Sequence, residues 1–299
     1  MKFSVISLII VLVVALAFAL VFGNGFRERY SVSESERVLT STINWLLQHD
    51  YPGLGSEWAV IAMSRVDQSD DFWLERYLLS ISASLADTST WSSTDYARVI
   101  IALTALGLDA SDSAMWGRNL ASSLETRSEY SIFNADVFAL IALNSGQYPG
   151  DRQQYINAIV AEQLADGSWD PWDSGLWGIV DIDSTAQAIQ ALAPYYNDNA
   201  DVRQVIDNAL NWIFQQELDN SNALSQVIIA LTELRRSEDA DRISVYVEAL
   251  LNFYYADEGA FFWQDEFPVD WMSTEQAALA LAAYQRFQQG QSSLFSLVE

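Results

Sequence analysis

The chain has 299 residues, 51% of them hydrophobic, enough to bury a large core within one domain. It contains no cysteine, which excludes disulfides, thiolate metal sites and a cysteine nucleophile. Acidic residues outnumber basic ones 40 to 15, the net charge is -25 and Lys2 is the only lysine, so no basic face is available for nucleic acid. The acidic surface reads first as a solubility device, with cation binding as the alternative.

In chain order, residues 3–22 form an unbroken apolar stretch without a charge, long enough to cross a bilayer. Residues 1–26 are therefore read as a signal peptide or an N-terminal membrane anchor. The apolar length favours the anchor, while Ala15-Leu16-Ala17 and Ala17-Phe18-Ala19 offer cleavage sites. Lys2 and the amino terminus face Arg27 and Arg29 across the segment, so flanking charge sets no orientation. The remainder is expected to be extracytoplasmic, membrane-anchored or secreted, a placement that rests on the rest of the sequence and not on the leader's flanks. Residues 27–33 read as a linker, 34–287 as one helical domain and 288–299 as a short C-terminal tail.

Within the domain a small-residue/Leu step recurs at Ala62, Ala102, Ala142, Ala191, Ala230 and Ala280. A period near forty residues holds two helices and their turns, so the sequence predicts an all-α repeat of six helical hairpins, twelve helices in all. Helical spacing of apolar residues predicts outer helices over 34–48, 72–86, 113–124, 152–164, 202–216 and 240–255. The inner helices carry the repeated step and are apolar or small around most of their circumference, as helices packed on several sides must be. Ser56, Thr94, Asn134, Asp183, Ser221 or Asn222, and Ser273 are the expected N-caps, with a capping box over Ser273 to Gln276.

Repeats entering in one direction place all six inner N-termini at one mouth, where their partial positive charge favours acids. Glu57, Asp95, Asp136, Asp181, Asp183 and Glu275 lie there, explained by dipole compensation or as polar anchors for a ligand. Two long gaps break the period, QLADGSWDPWDSGLWGIVDID from Gln163 and YADEGAFFWQDEFPVDWMSTE from Tyr255, and they resemble each other. They bring Trp169, Trp172, Trp177, Phe261, Phe262, Trp263 and Trp271 to the same mouth. Such rings either plug the loops onto the body or grip a flat, apolar or sugar-like ligand. With Trp58 and the acids they make the candidate ligand-binding set: Glu57, Trp58, Asp95, Asp136, Trp169, Trp172, Trp177, Asp181, Asp183, Phe262, Trp263, Trp271 and Glu275.

QLADGSW resembles the QW motif of the squalene-hopene cyclase and prenyltransferase superfamily, in which Gln and Trp tie successive helix hairpins together. Asp181-Ile182-Asp183-Ser184-Thr185-Ala186 is similar to the DxDDTA segment of class II terpene cyclases, with Ser184 in place of its last Asp. IFNADVFALIALNSGQY, QLADGSW, DIDSTAQAIQALAPYY, ALNWIFQQ and SQVIIALTEL together resemble the prenyltransferase-like domain of secreted bacterial surface proteins, related in fold to transcobalamin and intrinsic factor. The resemblance spans residues 34–287 and implies an α/α toroid. It puts Asp183 on the cyclase proton donor and Asp181 on the preceding Asp, the only catalytic candidates. The zinc of protein prenyltransferases resembles an Asp, Cys and His site and has no counterpart here, since there is no Cys and His49 is the only histidine; Cys-Gln thioester chemistry is likewise absent. No metal or cofactor is expected, and cobalamin is the ligand that the resemblance suggests.

Three functions follow as expectations. The first is a non-catalytic toroid that binds a small apolar or amphipathic ligand, cobalamin-like, lipid or glycan, at the aromatic, acidic mouth. The second is a cell-surface scaffold that presents its rim to a protein. The third is an enzyme, either a degenerate cyclase or a carbohydrate-active toroid whose mouth acids supply two carboxylates about 5 to 9 Å apart.

Overall fold

The six repeat alanines are all fully buried, each on a helix whose neighbours approach closely. A methyl side chain at a helix contact leaves the facing backbone room to come near, and that is what the recurring step encodes. The computed structural model describes residues 33–49, 52–125, 133–170 and 182–298. They form twelve α-helices: α1 (Glu34–His49), α2 (Glu57–Arg65), α3 (Asp71–Ser84), α4 (Ser93–Ala105), α5 (Ser113–Trp116), α6 (Phe133–Ser145), α7 (Arg152–Ala161), α8 (Ile182–Leu192), α9 (Ala200–Ile213), α10 (Ser221–Leu234), α11 (Ala240–Leu251) and α12 (Trp271–Gln288).

The even-numbered helices carry the alanines, and their contacts form an unbroken circuit. Helix α2 packs on α4, α4 on α6, α6 on α8, α8 on α10, α10 on α12, and α12 returns to α2. Odd-numbered helices lie outside: α1 against α12, α7 against α6, α9 against α8 and α11 against α10. Helix α9 shows why. It buries Val202, Val205, Ile206, Ala209, Leu210 and Ile213, a stripe at helical spacing, and leaves its other face to water. Helix α10, between neighbours on several sides, buries nearly every residue from Ser221 to Leu234.

Several boundaries differ from the sequence expectation. The outer helix expected over 113–124 stops after one turn, because Gly117 turns left-handed at φ 72°; residues Ala121–Glu125 continue as a 3-10 helix. The outer helix expected to reach Tyr255 ends at Leu251. Strands β1 (Tyr254–Tyr255) and β2 (Ala260–Phe261) follow, paired antiparallel with Tyr254 opposite Phe261, and Gly259 at φ 80° makes their turn. The inner helices α4, α10 and α12 start one to three residues earlier than expected. Ser92, Asn220 and Asp270, in extended conformation, accept the N–H three residues on and cap them, and the capping box is Ser92 with Asp95. Asp183 and Asn134 lie inside first turns, and Ser56 makes no side-chain cap.

Residues 289–298, expected as a simple extension, fold back under the C-terminal ends of the inner helices and bury Leu294 and Phe295. The leader and linker expectations for residues 1–32 lie outside the described residues. Among the described residues no helix is long and apolar enough to cross a membrane.

Candidate functional site

The mouth acids fall into different environments. Glu57 opens α2 fully buried, and both its oxygens accept the Gly55 N–H, at 3.0 and 3.1 Å. Burial pushes its carboxyl up to about 7, although Arg98 Nε, 3.9 Å away, and the Gly55 amide pull the other way. Asp95 is the opposite case. Burial works to raise it, but the Ser92 amide and hydroxyl at 2.8 and 2.7 Å and Arg98 at 2.5 Å outweigh that and hold it below the usual carboxylate range. Behind this pair lie two buried polar atoms without hydrogen-bond partners, Tyr77 Oη and Trp73 Nε1; burial first, and the Glu57 charge second, push the Tyr77 hydroxyl up. Glu57 is thus a weak acid poised near neutrality, sealed from solvent.

Asp136 and Glu275 are buried and Asp183 is half-buried in the first turn of α8; none of the three is without a partner. Trp172, Trp177 and Asp181 lie outside the described residues. The Asp181/Asp183 pair suggested by the cyclase resemblance is therefore not described as a pair.

Four of the candidate aromatics are built into the body. Trp58 packs on Phe138 of α6 with centroids 5.4 Å apart, and on Phe295 of the tail at 6.4 Å, all three buried. Trp169 is 1% exposed. Its N–H donates to Thr185 Oγ1 at 3.1 Å and its indole N–H to the Ile159 carbonyl at 2.7 Å, while Gln163 donates to the carbonyls of Gly167 and Val205. The QW-like stretch thus ties α7 to α8 and α9. Phe262 rests on Phe253 at 5.5 Å, and Trp271 stacks on Trp45 at 6.2 Å, which in turn stacks on His49. Trp263 is the exception. It is 38% exposed and, with Phe267, Met272, Pro268, Asn222, Asp270 and Ser273, lines a surface groove of about 460 Å3.

The interior also holds a polar system that the sequence reading missed. Gln190 of α8 donates to Gln226 Oε1 of α10 at 2.8 Å, and Gln226 donates to Gln276 of α12. Further along the inner helices, buried Glu233 accepts the Phe295 N–H at 3.1 Å, while Arg65 donates to the carbonyls of Ser293 and Ser296 and Arg286 to that of Ser292. Burial raises the Glu233 carboxyl, opposed by its tail contacts and Arg65. A cleft of about 330 Å3 beside this tail is walled by Asn144, Arg152, Tyr195 and Glu233. The available signal was a glutamine or glutamate inside an otherwise apolar inner helix. A polar side chain at such a place needs a partner.

No cluster of three metal-ligating side chains occurs among the described residues. Compared with known proteins, the chain matches no family model, no curated protein and no solved structure.

Proposed function

We propose that the chain is an extracytoplasmic α/α toroid of the terpenoid cyclase/prenyltransferase-like kind, acting as an interaction scaffold. Two observations support the architecture: the inner-helix circuit that returns from α12 to α2, and the Gln163 and Trp169 ties between successive hairpins. The observation that carries the scaffold reading is the packing of Trp58 against Phe138 and Phe295 between the inner helices, with the tail fastened there by Arg65, Arg286 and Glu233. Apolar side chains in contact do not part for a ligand without losing their own burial.

The enzyme readings find less support. A carbocation-generating acid needs a desolvated, destabilised charge, whereas Asp183 is only half-buried, in the first turn of α8. Glu57 has the raised pKa of a general acid but is fully buried, with no access to a substrate.

The test is native mass spectrometry of the folded protein after incubation with corrinoids, polyprenyl compounds and extract of its own host. The bare mass is expected. A small molecule retained through gentle repurification would overturn the scaffold reading and restore the ligand-binding one.

A further inference from the structure

Trp263 and Phe267, in the connection between β2 and α12, and Met272, in the first turn of α12, have 38%, 53% and 58% of their surface exposed. They border one groove, and that groove is held firmly. The Ser221 N–H donates to the Trp263 carbonyl at 2.9 Å, Phe262 and Val269 bridge the base of the loop, and Asp270 caps α12 by accepting from the Ser273 N–H and hydroxyl. At the tip, Glu266 takes the left-handed conformation at φ 73°, uncommon for a side-chain-bearing residue. Fixed apolar surface of this kind, kept in water, marks a contact site.

The occupant follows from charge and from how this protein treats its other aromatic rings. Arg76 lies over Phe72 at 5.9 Å, Arg203 and Arg236 over Tyr196 at 5.8 and 5.7 Å, and Arg242 over Phe214 at 3.5 Å. Among the described residues no arginine lies over Trp263 or Phe267; they meet only each other, edge to face at 5.1 Å. Indole is the best of the aromatic cation acceptors. The sequence has no lysine or arginine between Arg242 and Arg286, while Asp265, Glu266 and Asp270 sit on the loop itself and Asp219 meets it through Gln264. Carboxylates and an indole over which no described arginine lies form a surface complementary to positive charge. A neutral glycan would use the rings but leave the carboxylates uncompensated.

We propose that this groove docks a basic segment of another protein, with an arginine side chain over Trp263 beside Asp270 and an apolar neighbour against Phe267 and Met272. The proposal rests on the scaffold reading, of which it names the contact surface.

The test uses the full chain and an N-acetylated peptide of ten alternating arginines and leucines, titrated by calorimetry at low and at about 0.5 M salt to separate groove binding from diffuse attraction. One peptide should bind per chain. Trp263→Leu, which keeps an apolar side chain on an exposed position, should weaken it about tenfold, as should replacing the peptide's arginines by glutamine. Phe267→Ser should weaken it as well, and Asp241→Asn, on α11, should not. Binding that survives Trp263→Leu and Phe267→Ser unchanged would reduce the effect to net charge and overturn the proposal. So would absence of saturable binding to the wild type, or a chito-oligosaccharide that occupies the groove more tightly than the peptide. A failed peptide titration with a bare native mass removes this docking site alone; a retained small molecule removes the scaffold reading, whatever the peptide does.

Discussion

The two long connections look alike in sequence and share one anchor, and the ring at the anchor in the first contrasts with a ring just past it in the second. In the first, the Trp169 N–H donates to Thr185 Oγ1; in the second, the Phe261 N–H donates to Thr274 Oγ1, also at 3.1 Å. Both hydroxyls sit six residues before a repeat alanine, Ala191 and Ala280, and both anchored rings are buried. Ser56, six residues before Ala62, does the same for the Gly53 N–H at 3.1 Å. Beyond the anchor the second connection continues into exposed Trp263 and Phe267, while residues 171–181 of the first lie outside the described residues. Trp169, held at its anchoring hydroxyl, is core, whereas Trp263, two residues past the anchored Phe261, stays at the surface, and composition alone does not tell the two apart.

The largest effect should come from breaking that comparison at its rings. Trp169→Ala leaves a cavity and an unmet Ile159 carbonyl and should lower stability by about 3–5 kcal/mol, whereas Trp263→Ala should stay within about 0.5 kcal/mol. Urea midpoints of the two variants decide; equal losses would mean that the anchor does not sort them.

The α1–α2 connection sharpens the point, because there the residue after the anchoring hydroxyl is Glu57. Its folded value of about 7 lies above the ordinary 4.5, so the native state holds a proton that the unfolded chain releases. The resulting stability is fully present below about pH 4.5 and is lost as pH rises through about 7, an effect of roughly 3 kcal/mol. Denaturant unfolding across pH 4 to 8 should show this fall in the wild type and not in Glu57→Gln. The same fall in both would assign it elsewhere.

Removing the anchor itself should cost less. Thr185→Val and Thr274→Val each strand a buried N–H and should destabilise by about 1–3 kcal/mol, equally if the two connections are equivalent. A marked inequality in thermal melts would show that β1 and β2 hold Phe261 without the hydroxyl.

The smallest contrast lies in the turns. Both Gly167 and Gly259 have positive φ, but an added methyl at Gly167 meets the Asn208 carbonyl oxygen at 2.6 Å, whereas at Gly259 it meets the movable Ser41 hydroxyl. Gly167→Ala should therefore be worse than Gly259→Ala by about 1 kcal/mol. Matching melting temperatures would contradict the close approach of the first connection to α9.

Much of the fold was legible because it rests on periodicity. The six alanines, the alternation of inner and outer helices and five of the six outer helices follow from which residues can face a neighbour at close range. The failures were local. Gly117 ended one helix, Gly259 turned another's continuation into a hairpin, and Asp270, Asn220 and Ser92 took the caps from residues further on, because an extended residue that can reach the third amide wins over one already inside the helix. The candidate site was legible as a set of residue types and not as a place. Trp58, Trp169, Glu57 and Glu275 are buried, and the exposed groove depends on Phe267, Met272 and Asn222, which periodicity does not single out.

The sequence by itself determined the repeat, its helical content and the excess of negative charge, since these follow from spacing and composition. Only tertiary structure decided that Phe295 of the tail is buried against Trp58, itself on Phe138, that Gln190, Gln226 and Gln276 join across three helices, and that Trp263 stays in water. Each of these depends on groups far apart in the chain, and whether a ring is buried or a glutamine is paired is settled by the element that arrives opposite it.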